Sequence, residues 1–315
     1  MMIYVKTGGE MKKILFMFLL LAFGYSQCDS TNVLDYYPNM QGCELAGFNF
    51  MACTEDEWGY INCGHNGAYG HLLGYADFTN ANLEGATLSL DNDYYSPGYI
   101  DGTIFTGANL KDANFTDAYL YNVDFTGANL ESADFTKTSI YYSTFNGANM
   151  KEAVLEEMNA FSGCSFIGAN LEESRIAFDT SSNENLNFTE ANFSGAYIGP
   201  DPSYYMAYVS NGNFTDANFT GADISRMEFY SNCTHYQANF HGANLLTVAF
   251  QSSVYKGNFS NATLHDVRFN GGSDITEANF QNANIDCTGG YSFCYGCDAS
   301  GANFKSVTFG HMDIS

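Results

Sequence analysis

From residue 103 to residue 155 every fifth side chain is large and apolar: Phe105, Leu110, Phe115, Leu120, Phe125, Leu130, Phe135, Ile140, Phe145, Met150 and Leu155. Two places before each stands a small or short residue, as in Thr103, Ala108, Ala113, Ala118 and Val123. Asn or Asp commonly fills the gap, at Asn109, Asn114, Asp124, Asn129, Asp134 and Asn149. A helix needs apolar spacing near 3.6 and a strand needs 2, so a period of five suits neither as a continuous element. The conflict disappears if each unit is a very short extended piece followed by a corner. Small and large residues then both turn inward, and the backbone groups pair between stacked coils about 4.8 Å apart. On this reading Asn and Asp occupy corners, where short polar side chains bond to nearby backbone. Gly107, Gly127 and Gly147 relax others.

The stretches ADFTNANLEGATL (76–88), GANLKDANFTDAYLYNVDFTGANLESADF (107–135) and GNFTDANFTGADI (212–224) resemble the pentapeptide-repeat family. The resemblance extends over most of residues 76–314. It implies an all-β fold, a right-handed quadrilateral β-helix with four repeats to a coil. Residues 20 apart then stack, so Phe105, Phe125 and Phe145 form one column and Phe115 and Phe135 the opposite one. Leu110, Leu130 and Met150 lie between them, facing Leu120 and Ile140. Columns of Phe are expected to alternate with aliphatic ones around the square.

Residues 1–10 show no apolar pattern. From Met11, Lys12-Lys13 and the apolar run Ile14–Phe23 read as a secretory signal, too short to span a membrane, so residues 1–26 are expected to be a leader starting at Met11. Small residues place cleavage after Gly24 or Ser26, the second being favoured; a lipid anchor on Cys28 is the rival, with Gln27 large for that motif. The expected location is extracellular, periplasmic or at the cell envelope. Residues 27–75, with the single Trp58, fit the repeat poorly and are expected to form an irregular N-terminal cap over the open end of the stack. Leu45 and Phe50 read as two early units, with Cys43 in a small position.

The repeat body, 76–315, is expected to form one domain of about ten coils, on the order of 50 Å long. Insertions interrupt it near 91–101, 180–185, 199–208 and 286–297, and one-residue slips must be absorbed at corners. The chain has 11 Lys and Arg against 35 Asp and Glu, a net charge of −24. That disfavours direct nucleic-acid or anionic-membrane binding, which needs basic surface.

Cys43, Cys53 and Cys63 lie ten apart, and Cys287, Cys294 and Cys297 share one segment; one disulfide is expected in each cluster. Cys164 takes a small inward position and packs like alanine. Zinc on Cys287, Cys294, Cys297 and His311 lacks the tight four-ligand spacing of a structural site. No nucleotide, hydrolase or metalloprotease motif appears, so no catalytic residue, cofactor or metal is assigned and the chain reads as a non-enzyme. The Asn-x-Ser/Thr sequons arise from the repeat itself.

The functional lead is the tyrosines of the insertions: Tyr94, Tyr95 and Tyr99; Tyr204, Tyr205 and Tyr208; Tyr291 and Tyr295. Loops on rigid scaffolds carry binding, and Tyr offers broad contact at low entropy cost. Equally, they can simply cover the sides of the rod. The reading is a secreted or envelope-associated scaffold for an unidentified protein or glycan, with a solenoid end available for a homodimer. The resemblance implies an alternative, since some acidic members mimic a DNA duplex and inhibit DNA gyrase; an export signal opposes it.

Overall fold

The computed structural model describes residues 2–7, 10–15, 39–50, 54–55, 61–62, 73–89, 99–178, 183–201, 203–230, 232–270, 272–288, 293–294 and 296–311. These contain strands, bridges and turns and no helix. The chain winds as a right-handed four-sided β-solenoid, each side one pentad long. From the repeat block we number the faces by their inward residues: Phe105 and Phe125 on the first, Leu110 and Leu130 on the second, Phe115 and Phe135 on the third, Leu120 and Ile140 on the fourth. All eight are fully buried.

Parallel pairing carries the stack. An unbroken chain of bridges on the second face runs Glu44–Asn82–Asn109–Asn129–Asn149–Asn170–Asn192–Asn218–Asn239–Asn258–Asn279–Asn303. The coil stack therefore already includes residues 39–50, with Leu45 and Phe50 buried. The third face joins eight parallel strands, from Val154–Leu155 through Arg175–Phe178 and Tyr197–Pro200 to Thr308–Phe309. The fourth face carries one sheet from Tyr99–Asp101 to Asn183–Glu184 and another from Ala207–Val209 to Arg268–Phe269.

The Asn and Asp between small and large residues sit on the faces and not at the corners, contrary to the sequence expectation. Their backbones make the bridges. On the second face Asn129 Nδ2 donates to Asn109 Oδ1 at 3.0 Å, and Asn149 Nδ2 donates to Asn129 Oδ1 at 3.0 Å. This amide ladder continues from Asn82 to Asn303, each rung satisfied by its neighbours. The amides of Asn192, Asn218 and Asn258, all within sequons, are thereby occupied. The corner belongs to the residue two places after each large one. Gly127, Ser132, Lys137 and Tyr142 take φ of 64°, 56°, 60° and 51° in succession. Such left-handed backbone favours Gly and costs roughly 1–2 kcal/mol at other residues. Each corner N–H donates to the next coil, as Lys137 N does to Glu156 O at 3.0 Å, so the ladder holds the geometry.

The slips are absorbed without breaking that ladder. Neighbouring rungs lie 20 residues apart at Asn109–Asn129, 22 at Asn170–Asn192, 26 at Asn192–Asn218 and 19 at Asn239–Asn258. Extra residues bulge out at corners. The expected insertions shrink accordingly: 99–101, 183–184, 199–200, 207–208 and 286 all lie in strands.

The aromatic columns follow expectation only in the first part. Phe105, Phe125, Phe145, Phe166, Phe188 and Phe214 stack on the first face. After that the first face carries His235, Val254 and Ile275, all buried. Phe now lines the second face (Phe193, Phe219, Phe240, Phe259, Phe280) and the fourth (Phe229, Phe250, Phe269). The last inward residues among those described, Phe304 and Phe309, are 36% and 51% exposed, because no further described coil covers them; Ile314, the next inward position in the sequence, lies outside the described residues.

At the other end, Met2–Thr7 pairs antiparallel with Glu10–Leu15. Residues 1–10 lack an apolar pattern, yet Gly8-Gly9 between two strand-length runs is a hairpin signal. The rest of the expected leader, Cys28 and Trp58 lie outside the described residues. Within the expected cap, Thr54–Glu55 pairs antiparallel with Ile61–Asn62. Among the described residues no helix is long and apolar enough to cross a membrane.

Candidate functional site

Of the tyrosines singled out in the sequence, Tyr94, Tyr95, Tyr291 and Tyr295 lie outside the described residues, and Tyr99 opens a strand of the fourth face. The insertion after Pro200 holds the next group. Asp201 is buried, and its Oδ1 accepts from Ser203 N at 2.7 Å. Tyr204 N donates to Asp201 O at 2.9 Å, and Arg226 Nη1 donates to Tyr204 O at 3.2 Å. This pinned turn presents Tyr204 at 41% and Tyr205 at 79% exposure. Tyr208 is no loop residue: it lies in the strand Ala207–Val209 and stacks on Tyr230, ring centroids 5.6 Å apart.

The same turn closes one side of a cleft of about 370 Å³ lined by Asp117, Lys137, Glu157, Met158, Asn159, Asp201, Ser203 and Tyr204. Asp117, Lys137 and Glu157 are left-handed corner residues, one above another between the third and fourth faces. Lys137 Nζ lies 3.5 Å from Glu157 Oε2, and Asn159 Nδ2 donates to Lys137 O at 2.6 Å. Three carboxylates face one ammonium. The lining offers polar contact but no nucleophile held by a base.

A second tyrosine group escaped sequence analysis because it belongs to the repeat and not to an insertion. Tyr119 and Tyr121 flank Leu120, and Tyr141 and Tyr142 follow Ile140 one coil on. Alternation sends the flanking side chains outward. Ring centroids are 5.4 Å apart for Tyr119–Tyr141 and 5.6 Å for Tyr121–Tyr142. Tyr142 is 59% exposed, and its ring lies over Gly163, where an added Cβ would come within 2.5 Å of it. Tyr75 repeats this over Gly102 and donates its hydroxyl to Asp101 Oδ2, which raises the phenol's pKa. The sequence signal was the YLY and SIYY units, with Tyr in the flanking places.

His235 was also missed, although it stands five residues before Phe240 and so takes a large inward position. It is buried, stacked on Phe214 at 4.8 Å and edge-on to Phe229 at 4.8 Å and Phe250 at 5.3 Å. Ser252 Oγ lies 3.3 Å from Nδ1, while Nε2 has no partner. Desolvation pushes its pKa down to about 3, so the ring is neutral.

Among the cysteines, Cys294 and Cys297 form a disulfide and Cys287 is free and buried. With two of three thiols bonded to each other, the zinc set weighed in the sequence does not assemble, and among the described residues no His, Cys, Asp or Glu group could hold a metal. Cys43 is disulfide-bonded, with its partner and both Cys53 and Cys63 outside the described residues. Cys164 and Cys233 are buried thiols pushed up by burial to about 12 and about 11, far from reactive.

Residues 100–131 and 118–156 match the family model described as pentapeptide repeats, in eight copies. Solved structures similar to this chain include HetL, a pentapeptide repeat protein involved in heterocyst differentiation regulation from the cyanobacterium Nostoc sp. strain PCC 7120. It is 18% identical over 91% of each chain, with TM-score 0.22. A pentapeptide repeat protein of the Arabidopsis thaliana thylakoid lumen is 23% identical over 44% of this chain and 75% of that one, TM-score 0.24. Full-length QnrB1, a plasmid-mediated fluoroquinolone resistance protein, is 16% identical over 68% and 92%, TM-score 0.23. No curated protein matches the chain. Pentads that turn inward on four faces and are joined by parallel bridges make this chain a pentapeptide-repeat β-solenoid, whose residues 100–156 match that family's model.

Proposed function

We propose that the protein is an exported, non-enzymatic scaffold that binds a protein or glycan partner through tyrosines presented on its sides. The observation that carries this is the pinned turn at Asp201 and Ser203–Met206: Tyr204 and Tyr205 are exposed where the solenoid could have made a plain corner, and Tyr204 borders the cleft. Rigid presentation of large amphipathic side chains lowers the entropy lost on binding. Export rests on the Lys12-Lys13 and Ile14–Phe23 pattern. Fractionation with N-terminal sequencing tests it: a mature chain starting near residue 27 in the envelope or medium supports export, and an uncleaved cytoplasmic chain refutes it. For binding, cross-linking in the native host should capture a partner with wild type and lose it with Tyr204→Ser/Tyr205→Ser. Equal capture by both would reject the insertion as the site.

The exposed Phe304 and Phe309 support a homodimer that buries the last coil of one copy against another. Light scattering should then show a dimer that Phe309→Glu converts to monomer. A second reading, a duplex mimic acting on an enzyme such as gyrase, draws support only from the charge of −24. Inhibition of gyrase supercoiling by the purified chain would promote it.

A further inference from the structure

The cleft beside the Tyr204 turn holds more negative charge than the chain itself neutralises. Of its three carboxylates, Glu157 is paired with Lys137 at 3.5 Å, while Asp117 and Asp201 have no ionic partner among the described residues. Arg226, the other cation at the turn, is held by Tyr204 O at 3.2 Å and does not line the cleft. Asp201 decides the matter. It lines the cleft yet is only 7% exposed. Its Oδ1 accepts from Ser203 N at 2.7 Å, and its Oδ2 has no hydrogen-bond partner among the described residues. A buried carboxylate is costly unless it is paired and hydrogen-bonded. One left half-satisfied on the wall of a cleft is completed by a bound cation.

The lining narrows the choice of cation. Apart from Met158 and the ring of Tyr204 every lining side chain is polar or charged, so an apolar ligand gains little and an anion is repelled. Among the described residues no His, Cys, Asp or Glu group could hold a metal ion, which leaves an organic cation. A volume of about 370 Å³ lies at the small end of the ~300–1,000 Å³ of ligand clefts. It admits an extended side chain and no folded element. Asp117 and Glu157 stand one coil to either side of Lys137, as the bonds Asp117 N to Thr136 O and Lys137 N to Glu156 O show, so the charges are spread along the solenoid axis. A guanidinium, with five donors in a planar fork, reaches separated carboxylates better than a compact ammonium. It also sheds water more readily and stacks on a phenol ring such as that of Tyr204. A free amino acid would bring its own carboxylate to this acidic wall. A residue within a chain does not, and Tyr205, next along the turn and 79% exposed, meets the chain that carries it.

We infer that the cleft receives an arginine side chain of a partner protein. This rests on the reading that the Tyr204 turn binds a protein, and it names the chemistry of that partner. The test is ligand-observed NMR titration of the purified full chain with an acetylated, amidated Gly-Arg-Gly peptide, its lysine and citrulline counterparts, and free L-arginine. The expected result is binding of the arginine peptide in the millimolar range or tighter, weaker binding of the lysine peptide and none of the neutral citrulline one. Binding should weaken as salt rises. Asp201→Asn keeps the oxygen that Ser203 N needs and removes the charge, so it should weaken the arginine peptide by about tenfold. Lys137→Gln removes the competing ammonium and should strengthen it severalfold, a change that a damaged fold would not produce. Glu190→Gln takes one carboxylate from an exposed corner between the first and second faces and should bind as wild type. Equal binding of the arginine and citrulline peptides overturns the inference. So does unchanged binding in Asp201→Asn, equal weakening in Glu190→Gln, or tighter binding of free L-arginine than of the peptide. Cross-linked capture in the host separates the two readings. Loss in Asp201→Asn and in Tyr204→Ser/Tyr205→Ser supports both. Loss in the tyrosine variant alone overturns the arginine and leaves the turn standing, and loss in Asp201→Asn alone keeps the arginine and rejects the tyrosines.

Discussion

The coils of residues 103–155 and those of residues 214–285 solve the same packing problem in two orientations. In the early coils phenylalanines stack on the first and third faces, Phe105–Phe125 at 5.1 Å and Phe115–Phe135 at 4.8 Å, and the two columns meet edge to face. In the later coils they stack on the second and fourth faces, Phe240–Phe259 at 4.7 Å and Phe250–Phe269 at 5.2 Å, again meeting edge to face. The aromatic pair has rotated by one side of the square. What is kept is two opposed ring columns with aliphatic residues between them, which fills each coil to similar volume. The core is specified by volume and opposition of rings, and not by which side carries them. His235 sits at the changeover, between Phe214 below and Val254 above, where the first face gives up its aromatic column.

Charge in either ring stack should be the most damaging change. Phe125→Asp places an unpaired carboxylate in a dry column and should abolish cooperative melting of the early coils. Phe125→Ala and Phe240→Ala should cost about 3–5 kcal/mol each in urea denaturation. Equal costs support equivalent cores, and a near-zero cost at Phe240 would break the comparison. Leu130→Phe alone overfills its coil and should cost about 1–3 kcal/mol. Adding Phe125→Leu should restore part of that loss; a strictly additive double variant would show that coil volume is not the controlling quantity.

His235 sharpens the changeover. Its folded-state pKa, about 3, lies below the unfolded value of about 6.5. Between those values the unfolded chain holds a proton that the folded chain excludes. The contribution is fully present above about pH 6.5 and is lost as pH falls toward 3, at up to about 1.4 kcal/mol per pH unit. His235→Phe should remove this part of the slope, read as the difference between wild-type and variant urea midpoints at pH 7 and pH 5. Parallel pH profiles would contradict the burial of His235. Smaller effects belong to the outside. Asn129→Ala breaks two rungs of the amide ladder and should cost about 1–2 kcal/mol. Lys111→Ala, losing an exposed ion pair to Glu131 at 2.8 Å, should leave the urea midpoint nearly unchanged.

The fold was legible because a period of five leaves a chain few ways to dry its large residues. Phe105 to Leu155 could be placed inward from spacing alone. The corners were misread because Asn and Asp satisfy two roles, turn former and ladder rung, and the sequence does not say which. The rotation of the ring columns was hidden by the slips, which change coil lengths and so hide which residues stack. His235 was missed because a polar residue in a Phe position contradicts the pattern that locates it. The group of Tyr119, Tyr121, Tyr141 and Tyr142 was missed for the opposite reason: Tyr flanking an inward Leu or Ile looks like ordinary repeat until the coils are stacked. The Tyr204 turn was visible as an interruption, but its pinning by Asp201 and Arg226 depends on contacts between coils.

A crystal structure tests the central claim most directly, by the positions of the phenylalanine rings. The account predicts Phe105, Phe125 and Phe145 on one side of a square core and Phe219, Phe240, Phe259 and Phe280 on the adjacent side, each stacked at about 5 Å. Rings of both sets in a single column, or either set turned to solvent, would contradict it.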